Sequence, residues 1–516
     1  MNQIDITAVR KWLEHIPGGS LAERYETEWT AFERLDRPVV TLFGAYDTGK
    51  SSLLRRLLID AGAQVPEWLT ISARHETFEV NNVELGGCIA RDTPGFVVGA
   101  SDIRAQNNSE RALAAVGLTD IGVAVLTPQL ATAERDVLRE VASAGWPKGA
   151  LWFVISRFDE AGANPEYDVD GYRELGDRKV RELLDVFDQV DRERVYVVAQ
   201  DPFQTAGPDL DVDREEWDAY RDWDGMRELA NALEQIPAAS LPELRRAAGQ
   251  RYWKAVVSEV LRELHGRLAE FTASAEVASH GVARRNGWLS ELEVLDRAAR
   301  ADLNGLVEEV FHRSRTAQDR SSEDLLREIE IALDRWFTKH EARLQRLKQS
   351  IGKAGDRDRA MPSWDGFASL VASIDSAPTV DPNSGYSRHV EDLGPMLIAL
   401  LKATQGVQEK ASSAKGSNHI AQGVAIAEAA FPVALYIAKI VDDRNAAMSG
   451  GQGAAASSLT EAVSECTRQA LDAWAPFVED VRALIDAESG EQVALDESLR
   501  RIVQDLDTAV QEGSNL

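Results

Sequence analysis

The chain is poor in cysteine, in positive charge and in long apolar runs. Only Cys88 and Cys466 stand among its 516 residues. That excludes a disulfide framework and any cysteine-built zinc cluster, and it suits a reducing compartment, so a cytoplasmic protein is expected. Lys plus Arg number 57 against 85 Asp plus Glu, a net charge of −28. So acidic a chain repels phosphate polymers, which argues against a broad nucleic-acid-binding face. The first residues, MNQIDITAVRKWLEHIPGG, lack the apolar stretch of a signal peptide. No segment reads as a clear membrane-spanning helix, although 420–441 comes close. No fixed-period repeat is found. Proline is missing from 243–361, which leaves room for long uninterrupted helices.

What is present centres on PVVTLFGAYDTGKSSLL, from Pro38 to Leu54. Residues 39–43 are an apolar, β-branched run of the kind that forms a buried parallel strand. Gly44-Ala45-Tyr46-Asp47-Thr48-Gly49-Lys50-Ser51 then fits G-x-x-x-x-G-K-[ST] at each fixed position. From Ser52 onward the apolar spacing is helical. Strand, glycine-rich turn and helix start together make a phosphate-binding loop. The glycines let backbone N–H groups and the helix dipole face an anion. Lys50 is expected to reach the β- and γ-phosphates, and the Ser51 hydroxyl to bind Mg²⁺.

Beyond this loop, strands alternate with helices to about Ile236, which predicts a mostly parallel sheet with helices on both faces. Strands are expected at 39–43, 77–80, 88–91, 121–126, 151–155 and 195–198. Helices are expected at 51–61, 109–116, 132–144, 171–187 and 225–233. Asp92-Thr93-Pro94-Gly95 ends the third strand. Asp92 there can hold Mg²⁺ through water, and the Gly95 N–H can sense a γ-phosphate. Ser156-Arg157-Phe158-Asp159 follows the fifth strand. Asp159 can accept two hydrogen bonds from guanine N1 and N2, a donor pair that adenine lacks. Arg157 can stack its planar guanidinium over a base. A solvated loop is the plainer reading of the same four residues.

GAYDTGKSSLL, RDTPGF and ISRFDE, followed by a long helical half, resemble the translation-factor-related class of GTPases, and within it the bacterial dynamin-like proteins. The likeness of motifs covers about 38–236; beyond that it is one of architecture. It implies a nucleotide site of Gly44, Ala45, Tyr46, Asp47, Thr48, Gly49, Lys50, Ser51, Ser52, Asp92, Gly95, Arg157, Asp159 and Ala199. Ala199 enters because such GTPases set a backbone N–H against guanine O6 after the last strand. Mg²⁺ is implied at Ser51, Asp92 and a first-switch threonine. Thr70 in VPEWLTISARHET is the preferred choice, Thr77 the second, and a strand-edge threonine the alternative. Lys50, Ser51, Thr70 and Asp47 are the implied catalytic set.

Several letters depart from the family pattern. Ser156 and Arg157 replace the Asn or Thr and the Lys of [NT]-K-x-D. Phe96 stands where Ras-like enzymes have a water-orienting Gln, and Tyr46 where eukaryotic dynamins carry Gln. Catalysis is therefore expected to draw on another group or a dimer partner. Asp47 sets a carboxylate beside a triphosphate. In GTPases activated by K⁺ or Na⁺ the residue at this place ligates the cation, so Asp47 is read as such a ligand, or as a side chain turned out to solvent or a subunit partner.

Residues 1–36 read as two helices parted by Pro17-Gly18-Gly19, with Ser20 capping the second and Leu21, Tyr25, Trp29 and Phe32 on one face. They can pack beside the nucleotide domain or join a bundle. The nucleotide domain spans 37–236, with 203–224 as an acidic surface loop. Residues 237–351 carry long amphipathic helices of a bundle. Residues 352–390 form a linker or hinge with one short helix near 367–374. Residues 391–445 outline an apolar helical hairpin. Over 394–441, Lys402, Lys410, Lys415 and Lys439 face Glu409 and Glu428, four charges against two and a net +2. This is either a lipid-inserting tip, as the resemblance implies, or a hairpin buried in the bundle. Residues 446–516 hold a flexible linker at 446–458, then helices at 459–485 and 495–510.

The expected fold is thus an α/β P-loop GTPase domain followed by a large all-α region. The expected function is Mg²⁺-dependent GTP hydrolysis coupled to self-association as a homodimer or homo-oligomer through the GTPase domain, with peripheral membrane contact. The alternative is an assembly or signalling module of little turnover that needs a partner GTPase. An ATPase is the third reading and requires Asp159 to be dismissed.

Overall fold

The computed structural model describes residues 3–69, 81–93, 116–130, 135–187, 190–316, 322–376, 397, 398, 401 and 454–516. Thr70, Thr77, Gly95, Phe96, the strand at 77–80, nearly all of the helix at 109–116 and most of the hairpin lie outside them. The chain divides into two compact units. The first holds residues 1–16, 20–262 and 511–516; the second holds 17–19 and 263–510.

The first unit is built on a sheet of six strands: β1 (Val39–Phe43), β2 (Asn81–Leu85), β3 (Cys88–Asp92), β4 (Ile121–Leu126), β5 (Leu151–Ile155) and β6 (Val195–Val197). Their order is β2-β3-β1-β4-β5-β6. β2 pairs antiparallel with β3, and every other pairing is parallel. All five residues of β1 are buried, as expected of a central parallel strand covered on both faces. The period of two divides its side chains. Val40 and Leu42 pack with Leu53, Leu57 and Leu58 of α3 (Lys50–Asp60). Phe43 turns to the opposite core with Ala124, Leu126, Phe153 and Leu183. β1 therefore ends at the middle of the sheet's C-terminal rim, where ligands bind open α/β sheets.

The two N-terminal helices, α1 (Ile6–Glu14) and α2 (Ala22–Glu33), belong to this unit, as do residues 241–262, which they pack against. Trp29 of α2 stacks on Tyr252, with ring centres 5.8 Å apart at 26°. Gly249 makes the approach possible, since a Cβ there would lie 3.1 Å from the Trp29 ring. Ser20 is not the cap residue itself, because α2 starts one residue later, but its Oγ accepts from the Ala22 N–H. Arg245 anchors the same region. It pairs with the buried carboxylate of Asp120 through Nε at 3.0 Å and Nη2 at 2.8 Å. Asp120 also accepts from the Val39 N–H at 2.9 Å, at the first residue of β1.

Arg245 lies in the helix Leu241–Thr316, 76 residues long, numbered α7 here after α4 (Arg135–Ala142), α5 (Val169–Val186) and α6 (Met226–Glu234). In the second unit, Leu303, Val307 and Phe311 of α7 share a core with Ile329, Trp336, Phe337 and Leu344 of α8 (Ser322–Arg359) and with Trp474, Val478 and Val481 of α10 (Ala454–Ser514). The three- and four-residue spacing of these side chains is the amphipathic pattern expected.

Three stretches depart from expectation. The linker at 352–386 is helical as far as its described residues go, through the end of α8 and α9 (Pro362–Ser376), broken only at 360–361. Pro362 opens α9, where its missing N–H costs no helical bond, and buried Ile351 and Phe367 offset the glycines. The linker at 446–458 gives way to helix from Ala454, and the two closing helices are one, α10, running through Pro476. Trp474 and Val478, buried on either side, offset the lost bond, and the helix continues. Of the hairpin, Leu397 and Leu401 are fully buried.

Candidate nucleotide-binding site

Gly44 must be glycine because β4 comes close: a Cβ there would lie 2.2 Å from Val125 O. Gly49 turns the chain into α3 with φ 82°, and its Cβ would meet Gln200 Nε2 at 2.4 Å. Between them Thr48 Oγ1 donates to Ala45 O at 3.0 Å. Lys50 is buried and folds back into the turn. Its Nζ donates to Ala45 O at 2.7 Å and Gly44 O at 3.3 Å. Burial pulls its pKa down to about 8, against the opposing pull of Asp92 and Asp47. Ser51 Oγ donates to Asp92 Oδ2 at 2.8 Å, which joins the start of α3 to the end of β3.

The loop after β5 meets the same turn from the other side. Ser156 Oγ donates to Thr48 O at 2.6 Å and also reaches Leu126 O at 3.0 Å. A serine hydroxyl thus ties this loop to the phosphate-binding turn. Arg157 adopts a left-handed backbone, φ 49°, and its N–H donates to Gln200 Oε1 at 2.9 Å. Its guanidinium pairs with Asp47, Nη2 to Oδ1 at 2.6 Å and Nη1 to Oδ2 at 3.4 Å. Asp47, φ 60°, keeps 58% of its side chain exposed and meets Arg157 rather than solvent alone. Asp159 Oδ2 accepts from the Phe203 N–H at 2.8 Å. Burial raises the Asp159 pKa, and that N–H draws it back.

The structure therefore brings Asp47, Thr48, Gly49, Lys50, Ser51, Asp92, Arg157 and Asp159 to one rim of the sheet, with exposed Tyr46 beside Asp47. Ala199 is the exception. It is buried, and its N–H goes to Asp224 O at 2.9 Å, so a bond to guanine O6 from this atom is not what the fold arranges.

Residues 203–224, expected as an acidic surface loop, are mostly exposed, and with Asp201 they fold around two arginines of α3. Arg55 donates to Gly207 O at 2.8 Å and to the Asp201 carboxylate at 3.1 Å. Arg56 reaches Asp224 at 2.7 Å and Asp60 at 2.8 Å. Both arginines and Trp217 are fully buried. Asp201 further accepts from the N–H groups of Ala206 and Gly207 at 3.0 Å and from the Trp217 indole at 3.1 Å. Gln200 and Asp201 are thus tied to the helix that begins at Lys50, through Arg56 and Arg55. The signal in the sequence was the unusual Arg55-Arg56 pair inside an apolar helix, matched by an acidic segment with buried tryptophan.

No family model and no curated protein matches the chain. Solved structures do. One is the LeoA bacterial dynamin GTPase from ETEC, at 15% identity and TM-score 0.31, covering 99% of this chain and 96% of that one. Another is an oligomerised bacterial dynamin pair, described as a mechanism for long-range sensing and tethering of membranes. It has 11% identity and TM-score 0.41, covering 98% of this chain and 94% of that one. A third is Toc33 from Arabidopsis thaliana in complex with GDP and Mg²⁺, at 13% identity and TM-score 0.25, covering 47% of this chain and 97% of that one. Over nearly its whole length this chain is similar to bacterial dynamin GTPases, at low identity.

Proposed function

We propose that the protein binds guanine nucleotide and hydrolyses GTP to GDP and phosphate. The observation that carries this reading is the Ser51–Asp92 contact at 2.8 Å beside buried Lys50, in a turn that two glycines keep open. A hydroxyl and a carboxylate oxygen side by side fit a hard divalent cation, so Ser51 and Asp92, with Thr70, would hold Mg²⁺. Mg²⁺ when bound neutralises charge on the β- and γ-phosphate oxygens. Lys50 exchanges two carbonyl partners for phosphate oxygens, and the backbone from Gly44 to Ser52, with the Gly95 N–H, surrounds them. Asp159 selects guanine, through a carboxylate whose second oxygen is steadied by Phe203.

The finer parts of the proposal concern ions, assembly and place. Asp47 is open to a K⁺ or Na⁺ ligand role, with Arg157 as the competing cation. Self-association as a homodimer or homo-oligomer through the nucleotide domain, and a peripheral membrane contact in an otherwise cytoplasmic protein, fit the departures at Tyr46 and Phe96 and the basic hairpin. Among the described residues no helix is long and apolar enough to cross a membrane. The second reading, a nucleotide-dependent assembly module served by a partner GTPase, rests on the same departures. GTP turnover measured across protein concentrations, with and without liposomes, separates them. A rate rising more than linearly supports the GTPase. No turnover at any concentration, with GTP still bound, supports the module. Replacing K⁺ and Na⁺ with choline at constant ionic strength tests the ion at Asp47: unchanged turnover removes it.

A further inference from the structure

We propose that Asp47 and Arg157 act as one unit, a strap across the mouth of the nucleotide site. Arg157 cancels the charge of Asp47, and Asp47 aims the guanidinium at the bound phosphates. The proposal rests on the nucleotide-site reading above and adds to it the two residues that depart most from its pattern.

The geometry is specific to the pair. Asp47 belongs to the turn before α3 and Arg157 to the loop after β5, 110 residues on. Both are non-glycine residues with positive φ, 60° and 49°, a backbone state that L-residues avoid. Each thereby directs its side chain to the other, in a two-pronged contact that fits a planar guanidinium to a carboxylate. Arg157 is also held at its backbone, because its N–H rests on the amide oxygen of Gln200. Gln200 in turn packs against Gly49, and the Arg157 Nε lies 3.6 Å from where a Gly49 Cβ would be. The guanidinium is thus fixed above the turn that holds Lys50, and its remaining N–H groups stay available as donors.

Charge gives the reason for the pairing. A lone carboxylate in a phosphate-binding turn opposes an anionic ligand, and Lys50 alone must outweigh it. With Arg157 paired, Asp47 adds no net charge, and the second cation needs no ion from solution. Asp47 and Arg157 are then positioning residues for the nucleotide, and losing Arg157 alone is worse than losing both.

The test is a double-mutant cycle read by dissociation constant and release rate of a fluorescent GDP analogue with Mg²⁺, at fixed ionic strength. The proteins are wild type, Arg157→Ala, Asp47→Asn and the double variant. Arg157→Ala leaves a bare carboxylate facing phosphate and should weaken binding on the order of tenfold or more, as for loss of a charged hydrogen bond. Adding Asp47→Asn should recover most of that loss, and Arg157→Lys should bind better than Arg157→Ala. Both side chains are solvent-accessible, so melting temperatures should stay together. Additive losses in the double variant, with wild type binding normally, overturn the strap alone. Wild type that binds no guanine nucleotide overturns the site reading and the strap with it.

Discussion

The guanidinium carbon of Arg56 lies 4.4 Å from the centre of the Trp217 ring, and both side chains are fully buried. The contact joins the helix that starts at Lys50 to the segment that carries Phe203. It is a fold-building interaction at the edge of a binding site.

Arg56→Ala should therefore be severe. It removes the partner of buried Asp224, one of the partners of Asp60 and the nearer of two cations over Trp217. Breaking one side of a buried pair costs about 3–5 kcal/mol. Urea unfolding followed by tryptophan fluorescence should show the first transition moved to lower denaturant. A variant that melts like wild type contradicts the role assigned to this cluster.

Lys50 sets a pH dependence. Its pKa in the folded protein is down to about 8 because it is buried. A bound triphosphate raises it again, so binding takes up a proton wherever the unbound lysine is neutral. Affinity should hold steady below pH 8 and fall as pH rises through about 8 towards the ordinary lysine range. The fall should vanish in Lys50→Ala, which itself loses at least ~1.5–3 kcal/mol of binding, the range for charged hydrogen bonds. Titration calorimetry in buffers of different ionisation enthalpy reads the proton uptake directly. No uptake at pH 9 contradicts the assignment.

Asp159→Asn turns one acceptor into a donor. It should cost guanine binding and favour xanthine, which carries a carbonyl where guanine has its amino group. Competition among GTP, XTP and ATP measures the order. If wild type prefers ATP to GTP, Asp159 is not the base reader.

Leu397→Asp places a charge where the structure has a fully buried side chain. An unpaired buried charge should lower the melting temperature cooperatively whether or not the wild type binds lipid. An unchanged melt with lost liposome sedimentation would return this residue to a lipid-facing role.

The strand–turn–helix from Val39 was legible because three independent signals coincide: a β-branched run, fixed glycine spacing and helical periodicity. β4 and β5 were legible because strands buried on both faces leave unbroken apolar runs. The environment of Arg55 and Arg56 was not. Asp201 and Asp224 look like solvated acids until their partners are known, since a sequence shows charges but not which ones face each other. The pairing of Arg157 with Asp47 was not legible because the two lie 110 residues apart. The continuity of α10 was missed because the polar residues near Gly490 suggest a break, while the burial of Leu495 and Leu499 that sustains the helix is a tertiary fact.

Asp120 has one further consequence. Its carboxylate grips the first amide of β1 and Arg245 together, while the last residue of β1 hands the chain to the phosphate-binding turn. Five residues of extended chain, roughly 17 Å, separate the two ends. Hydrogen-bonded to β3 and β4 on both sides, this strand is held in register along its length. Its first residue is thereby tied to the opening turns of the 76-residue helix α7, and its last residue leads into the turn that precedes Lys50.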